Sequence, residues 1–296
     1  MRRRTAIFLT AMAALLIGLG QESRGAEDKL GAAKGPEVRS AMALVVDASS
    51  GEIIFERNVT SVVPIASITK LMTALVVLDA RQPLDELVEL TPDDRWKGKG
   101  AHSRIPVGAK ISRADLLRLA LMASENRAAQ TLSRAYPGGR GAFVKAMNAK
   151  AKLLGMTQSR FADASGLSSQ NVSSARDLSK LLNATSMSPL IREYSTLPSV
   201  EVRINKRSTL VYRNTNLLIG KPDWEILVQK TGYTHDAGEC LVMRAVLDER
   251  EVNLVLLNSF GKLTRTADAR RIRRWMEQKI GSDPNSLPTA SSRPAR

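Results

Sequence analysis

Apolar and polar positions along this chain follow three successive rhythms. Residues 41–47 and 52–56 are strand-like, and the intervening Ala48-Ser49-Ser50-Gly51 suits a hairpin turn. Pro64 then precedes an apolar run over 65–80 with helical character. Between about 85 and 199 several segments carry helical spacing and are separated by Pro, Gly or Ser. They are 113–136, closed by Pro137-Gly138-Gly139, then 142–154, closed by Gly155, then 174–183. Strand character returns at 207–212, 225–230, 239–247 and 251–258, with Asp248-Glu249-Arg250 as a tight hairpin connection. A last helix is expected over 264–280, with Ile272, Trp275, Met276 and Ile280 along one face. Its Arg270, Arg271, Arg273 and Arg274 would suit a membrane surface, but a helix that follows two apolar strands more often packs on their sheet. The pattern predicts an α+β fold, a sheet built from both ends of the chain with a mainly α-helical subdomain (about 85–199) inserted between them.

The ends read differently. Arg2-Arg3-Arg4, an apolar stretch over 6–19 and a polar run after Gly20 mark residues 1–26 as a secretory signal peptide. Its apolar part is short for a helix that crosses a bilayer. Residues 27–39, polar and rich in Gly, Ala and charge, are expected to form a flexible lead-in, 40–280 the folded domain, and 281–296, full of Ser and Pro, a disordered tail. Cys240 is the single cysteine, so no internal disulfide can form, and its apolar surroundings make it a small buried hydrophobe.

Charge narrows the partner. Lys and Arg outnumber Asp and Glu by 44 to 29, a formal charge of +15, which favours something anionic. Nucleic acid is disfavoured: the basic residues are scattered, aromatic residues are 4% of the chain, and no nucleic-acid module leaves its fingerprint. An anionic cell-wall polymer or a membrane surface suits the charge equally well. With His102 and His235 as its 2 histidines, the chain cannot build a three-histidine zinc site, and no metal-ligand spacing stands out.

Three short motifs carry the candidate chemistry. Ser67-Ile68-Thr69-Lys70 opens the apolar helical run, and residues three apart on a helix share a face, so the Lys70 amine can reach the Ser67 hydroxyl. A lysine with its ordinary pKa of about 10.4 is protonated at neutral pH and is no base. Partial burial and a nearby like charge would lower that value, and Lys230 would supply the charge if it faced the same cleft. Ser124-Glu125-Asn126 follows the apolar run 116–123 at a helix end or junction. There Ser124 could relay a proton between Lys70 and a leaving amine, and the Asn126 amide could bond both substrate backbone and lysine. Lys230-Thr231-Gly232 ends the strand-like run 225–229. Lys230 and Thr231 would hold a terminal carboxylate, Gly232 would leave room for substrate, and the N–H groups of Ser67 and Tyr233 would form an oxyanion hole. Two of the strings recur, as Ser259-Phe260-Gly261-Lys262 and Ser169-Gln170-Asn171, so order and flanking elements single out the set. His235, three residues beyond Gly232, is expected to line the cleft or sit in a polar turn.

The trio is the signature that penicillin-binding proteins share with class A β-lactamases. The chain resembles the low-molecular-mass penicillin-binding proteins, the serine D-alanyl-D-alanine peptidases of the carboxypeptidase family, and among them most resembles the endopeptidases. The similarity spans about 41–279, through Ser67-Ile68-Thr69-Lys70-Leu71-Met72-Thr73-Ala74, Leu121-Met122-Ala123-Ser124-Glu125-Asn126-Arg127-Ala128-Ala129 and Lys230-Thr231-Gly232-Tyr233-Thr234. Tyr136-Pro137-Gly138-Gly139 and Asp163-Ala164-Ser165-Gly166-Leu167-Ser168 support it. The resemblance implies a penicilloyl-serine-transferase (β-lactamase-like) fold, an antiparallel sheet flanked by helices with the site at its junction with the helical subdomain. It implies an acyl-enzyme on Ser67, activation by Lys70, assistance by Ser124 and Asn126, and substrate binding by Lys230, Thr231, Gly232 and Tyr233, with no metal or organic cofactor.

Peptidoglycan stem peptides would then be the substrate, cut at D-alanyl-meso-diaminopimelate cross-links in the periplasm, with β-lactams as covalent inhibitors. No nucleic-acid partner and no stable transmembrane anchor are expected. Carboxypeptidase relatives commonly add a C-terminal β-rich domain and an anchoring amphipathic helix, for which this sequence has no room, and that favours the endopeptidase over the carboxypeptidase. A β-lactamase of class A would need a deacylating glutamate, and no Glu-x-x-Leu-Asn string follows Ser124. A non-catalytic penicillin sensor would normally sit within a membrane receptor.

Overall fold

Five antiparallel strands form the central sheet: β1 (Ser40–Asp47), β2 (Ile53–Arg57), β3 (Glu225–Thr234), β4 (Gly238–Leu247) and β5 (Arg250–Ser259), in the order β2-β1-β5-β4-β3. The computed structural model describes residues 35–280 except 97, 99–101 and 206. The expected signal peptide, most of the lead-in and the tail lie outside the described residues. Asp47 shapes the β1–β2 turn by accepting the N–H groups of Ser49 (2.9 Å) and Ser50 (2.8 Å), and Gly51 closes it at φ +76°. The β4–β5 turn is tighter. Asp248 (φ 51°) and Glu249 (φ 61°) both adopt left-handed backbone, as a two-residue hairpin of matching twist requires.

Seven helices surround the sheet among the described residues: α1 (Thr69–Asp79), α2 (Arg113–Met122), α3 (Asn126–Arg134), α4 (Gly139–Leu153), α5 (Ala175–Ser186), α6 (Pro189–Thr196) and α7 (Thr264–Ile280). β1, β4 and β5 read as near-continuous apolar runs because both faces of the sheet are covered. On one face Met42, Leu44, Val242, Val255 and Leu257 join the core that contains α1. On the other, Ala43, Val45, Met243, Leu254 and Leu256 pack with Ala269, Ile272 and Met276 of α7. The arginine-rich helix therefore lies on the sheet, with Arg271 paired to Asp268 (2.7 Å) and Arg273 to Asp223 (3.0 Å) and Glu277 (2.7 Å). α1 is buried from Thr69 to Val77 because α2, α3, α4 and α5 pack around it, which is why its sequence is apolar on all sides.

Two expected segments resolve more finely. The segment 113–136 is two helices, α2 and α3, broken at Ala123–Glu125 where Ser124 takes φ +58°. Glu125 restarts the helix by accepting the Ala128 N–H at 2.7 Å. The break falls at the helix end or junction expected for Ser124. The strand expected over 207–212 is Thr209–Arg213, and it pairs with Ser199–Arg203 in a separate two-stranded sheet.

Candidate active site

The chain reaches Ser67 through Val63–Pro64, which pairs with Val172–Ser173, and a 3₁₀ turn over Ala66–Ile68 that runs into α1. Ser67 thus stands ahead of the α-helix, because Ala66 has φ +45°, a left-handed value that an α-helix cannot contain. Two glycines hold this turn by backbone contact. A β-carbon on Gly232 would lie 3.0 Å from Ile65 O, 3.1 Å from Ser67 N and 3.2 Å from Ala66 Cβ. One on Gly166 would fall 1.9 Å from Ala66 O. Gly232 is therefore needed for β3 to approach the serine.

Lys70 Nζ donates to Ser67 Oγ (2.8 Å), Asn126 Oδ1 (2.7 Å) and the Ser165 carbonyl (2.7 Å), so all three ammonium protons are placed. The side chain is fully buried, and burial pushes its pKa down to about 7 against the opposing pull of Asp163 and Glu125. Lys230 is fully buried as well, with Nζ on the Thr231 carbonyl at 2.8 Å. Burial first, then the charges of Lys70 and Arg265, hold it well below the ordinary lysine value. Burial is thus the largest cause for both lysines, and the like charges of Lys70 and Lys230 disfavour each other.

The loop Asp163-Ala164-Ser165-Gly166-Leu167-Ser168 aims these groups. Asp163 Oδ1 accepts Ser165 N (2.6 Å), Ser165 Oγ (2.6 Å) and Gly166 N (2.9 Å), while Oδ2 accepts Ser168 N (2.9 Å) and Asn171 Nδ2 (3.1 Å). The resulting turn presents the Ser165 carbonyl to Lys70 and the Ala164 carbonyl to Thr73 Oγ1 (2.7 Å). Gln130 of α3 donates to Ser165 Oγ at 3.0 Å and joins the loop to the Asn126 helix. An Asp whose side chain can bond backbone two residues on is the signal for such a turn, and Asp163-Ala164-Ser165-Gly166 carries it. Both repeated strings resolve as structural: Asn171 locks this loop, and buried Ser259 bonds Ser40 Oγ at 2.6 Å.

Asn126 opens α3, and with its oxygen on Lys70 its amide protons are left for another partner. Ser124, half-buried in the strained turn before it, is not among the partners of Lys70. β3 is the edge of the sheet. Arg265 of α7 donates to the carbonyls of Gly232 (2.7 Å) and of Cys240 on β4 (3.2 Å), and it pairs with Glu239. Because Gly232 O is taken on the β4 side, strand alternation turns the Tyr233 N–H toward the open edge, and the Tyr233 side chain is 62% exposed. Cys240 is buried, which pushes its thiol up to about 11. His235 occupies an exposed turn 3.6 Å from Asp236. A cavity of about 300 Å³ opens beside Asn126, lined by Trp96, His102, Arg127 and Gln130 among others. Among the described residues no group of three or more His, Cys, Asp or Glu is placed to hold a metal ion, and no helix is long and apolar enough to cross a membrane.

The sequence profile of the D-alanyl-D-alanine carboxypeptidases matches residues 29–261. A D-alanyl-D-alanine endopeptidase of Pseudomonas aeruginosa is 52% identical over 242 residues, which cover 81% of this chain and 78% of that one. Its namesake from Escherichia coli is 50% identical over 243 residues, covering 82% and 78%. Among solved structures, penicillin-binding protein D2 of Listeria monocytogenes in its cefotaxime-bound form is similar at a TM-score of 0.72 and 30% identity, over 82% of this chain and 98% of that one.

Proposed function

Since this chain belongs to the D-alanyl-D-alanine carboxypeptidase family and has the fold of its D,D-peptidases, we propose the following activity and mechanism. The protein is a serine D,D-endopeptidase that cleaves D-alanyl-meso-diaminopimelate cross-links of peptidoglycan through an acyl-enzyme on Ser67. Two relatives named as endopeptidases, at 52% and 50% identity, support the endopeptidase over the carboxypeptidase. The observation that carries the mechanism is the buried Lys70 amine, 2.8 Å from Ser67 Oγ and lowered to about 7.

With Lys70 neutral, its lone pair takes the Ser67 proton as Oγ attacks the D-alanyl carbonyl. The oxyanion forms against the N–H groups of Ser67 and Tyr233. The C–N bond then breaks, and the proton returns from Lys70 through Ser124 to the leaving amine of the neighbouring stem peptide. Water hydrolyses the ester by the same steps in reverse and frees Ser67. Asn126 holds the acyl chain's backbone with its amide protons. Thr231, and the field of Lys230 behind it, take the carboxylate beside the scissile bond. A β-lactam carbonyl enters the same attack, in keeping with the cefotaxime complex of the Listeria relative. A cell-wall substrate supports a periplasmic location.

Digestion of purified cross-linked muropeptides tests this reading. The wild-type protein converts dimers to monomers and Ser67→Ala does not. Release of terminal D-alanine alone would select the carboxypeptidase instead.

A further inference from the structure

Thr231 has a neighbour that the motifs do not include. Its Oγ1, in a residue 4% exposed, lies 2.6 Å from Thr215 Oγ1. Thr215 also reaches the end of α2, where its N–H donates to Met122 O at 3.0 Å and its hydroxyl stands 3.4 Å from the same oxygen. One side chain thus joins the β3 edge to the turn that carries Ser124 and Asn126. Its neighbours hold it still. Asn214 Nδ2 donates to Ser195 O (2.9 Å) and Leu197 O (2.8 Å), its Oδ1 accepts Gln229 Nε2 of β3 (3.0 Å), and Asn216 Oδ1 accepts Leu218 N (3.1 Å).

A hydroxyl has one proton to give. Met122 O already holds the Thr215 N–H, and 3.4 Å is long for a hydroxyl donor, whereas 2.6 Å is short. The Thr215 proton therefore goes to Thr231 when an anion enters, and the Thr231 proton turns to the cleft. Two hydroxyls in series polarise each other, so the outer one becomes a better donor. The Lys230 side chain is meanwhile fully buried, with Nζ on the Thr231 carbonyl, which leaves the direct contact with the anion to the Thr231 hydroxyl.

We propose that Thr215 is a positioning residue that fixes the Thr231 hydroxyl as a donor to the substrate's carboxylate. This rests on the reading that Thr231 binds that carboxylate. Removing Thr215's hydroxyl should weaken the recognition of anionic substrates and spare neutral ones.

The test compares acylation of the full chain by benzylpenicillin, which has a free carboxylate, and by its methyl ester, which has none. Thr215→Val is expected to slow benzylpenicillin about tenfold, in line with a weakened hydrogen bond to a charged group, and the ester less than about twofold. Thr215→Ser is expected to restore the free-acid rate. Equal losses on both compounds, or no loss on the free acid, overturn the proposal. If the valine variant does not fold, Thr215→Cys, similar in size with a weak donor, is held to the same two-compound criterion. A wild-type protein that reacts equally fast with acid and ester overturns the underlying reading of Thr231, a result distinct from a wild-type preference that Thr215 variants retain.

Discussion

The backbone nitrogen of Ser67 lies 3.1 Å from where Gly232 would carry a β-carbon, so nucleophile and substrate strand meet backbone to backbone. The same missing side chain faces Ile65 O and Ala66 Cβ. A methyl group there must move either β3 or the 3₁₀ turn, and both N–H groups proposed for the oxyanion belong to those segments. Gly232→Ala is expected to lower the rate of labelling by a fluorescent penicillin about 100-fold, the scale of a small misplacement in a preorganised site. Thermal unfolding checks that the fold survives. An unchanged labelling rate would show that the contact does not set the geometry.

Asp163 touches neither Ser67 nor Lys70, yet its carboxylate organises the loop whose carbonyl receives Lys70. Asp163→Ala leaves several N–H groups without their acceptor and is expected to cost about 2 kcal/mol or more in denaturant unfolding. Penicillin labelling should fall with it. Asp163→Asn keeps acceptor oxygen Oδ1 and should lose less on both measures.

Ser124 separates stability from chemistry. Its φ of +58° is strained for any residue with a β-carbon. Glycine relieves that strain but adds freedom to the unfolded chain, so Ser124→Gly is expected to stay within about 1 kcal/mol of wild type in unfolding. Cross-link cleavage should nevertheless slow by about 100-fold or more if the hydroxyl passes the proton. Full activity in Ser124→Gly would remove Ser124 from the mechanism.

Lys230 tests the source of Lys70's low pKa. Burial is its largest cause, as it is for Lys230, where the charge of Lys70 comes second. Lys230→Met is therefore expected to weaken acylation without moving its pH midpoint by more than about half a unit, as followed by stopped-flow labelling. An upward move of a full unit would show instead that a like charge from Lys230 depresses Lys70.

The three motifs and the sheet were legible because they rest on local signals. Apolar runs on β1, β4 and β5, the Asp47 turn and the apolar face of α7 all follow from composition within a few residues. The site's fine geometry was not. Ala66 and Ser124 adopt left-handed backbone that only tertiary contact enforces, and nothing local to Gly232 shows that it faces Ser67 across the site. Gln130 and Thr215 act on residues far away in sequence, Gln130 on Ser165 across 35 positions and Thr215 on Met122 across 93, so spacing cannot find them, whereas Asp163 bonds its own loop within 8 positions. The decoys fail for the complementary reason: Ser259 and Asn171 have motif-like neighbours but are enclosed by structural partners.

The central claim is that a neutral, buried Lys70 activates Ser67, and the pH dependence of Ser67 acylation tests it most directly. The folded amine titrates at about 7, below its ordinary 10.5, so it is mostly charged below that midpoint and mostly free to accept a proton above it. The acylation rate constant, followed with a fluorescent penicillin and with the adduct mapped by mass spectrometry, is predicted to rise about tenfold per pH unit below the midpoint and level off above it. Lys70→Arg, always protonated, should abolish the reaction across the range. A rate that stays flat from about pH 5 to about pH 9, or an adduct on any residue other than Ser67, would contradict the account.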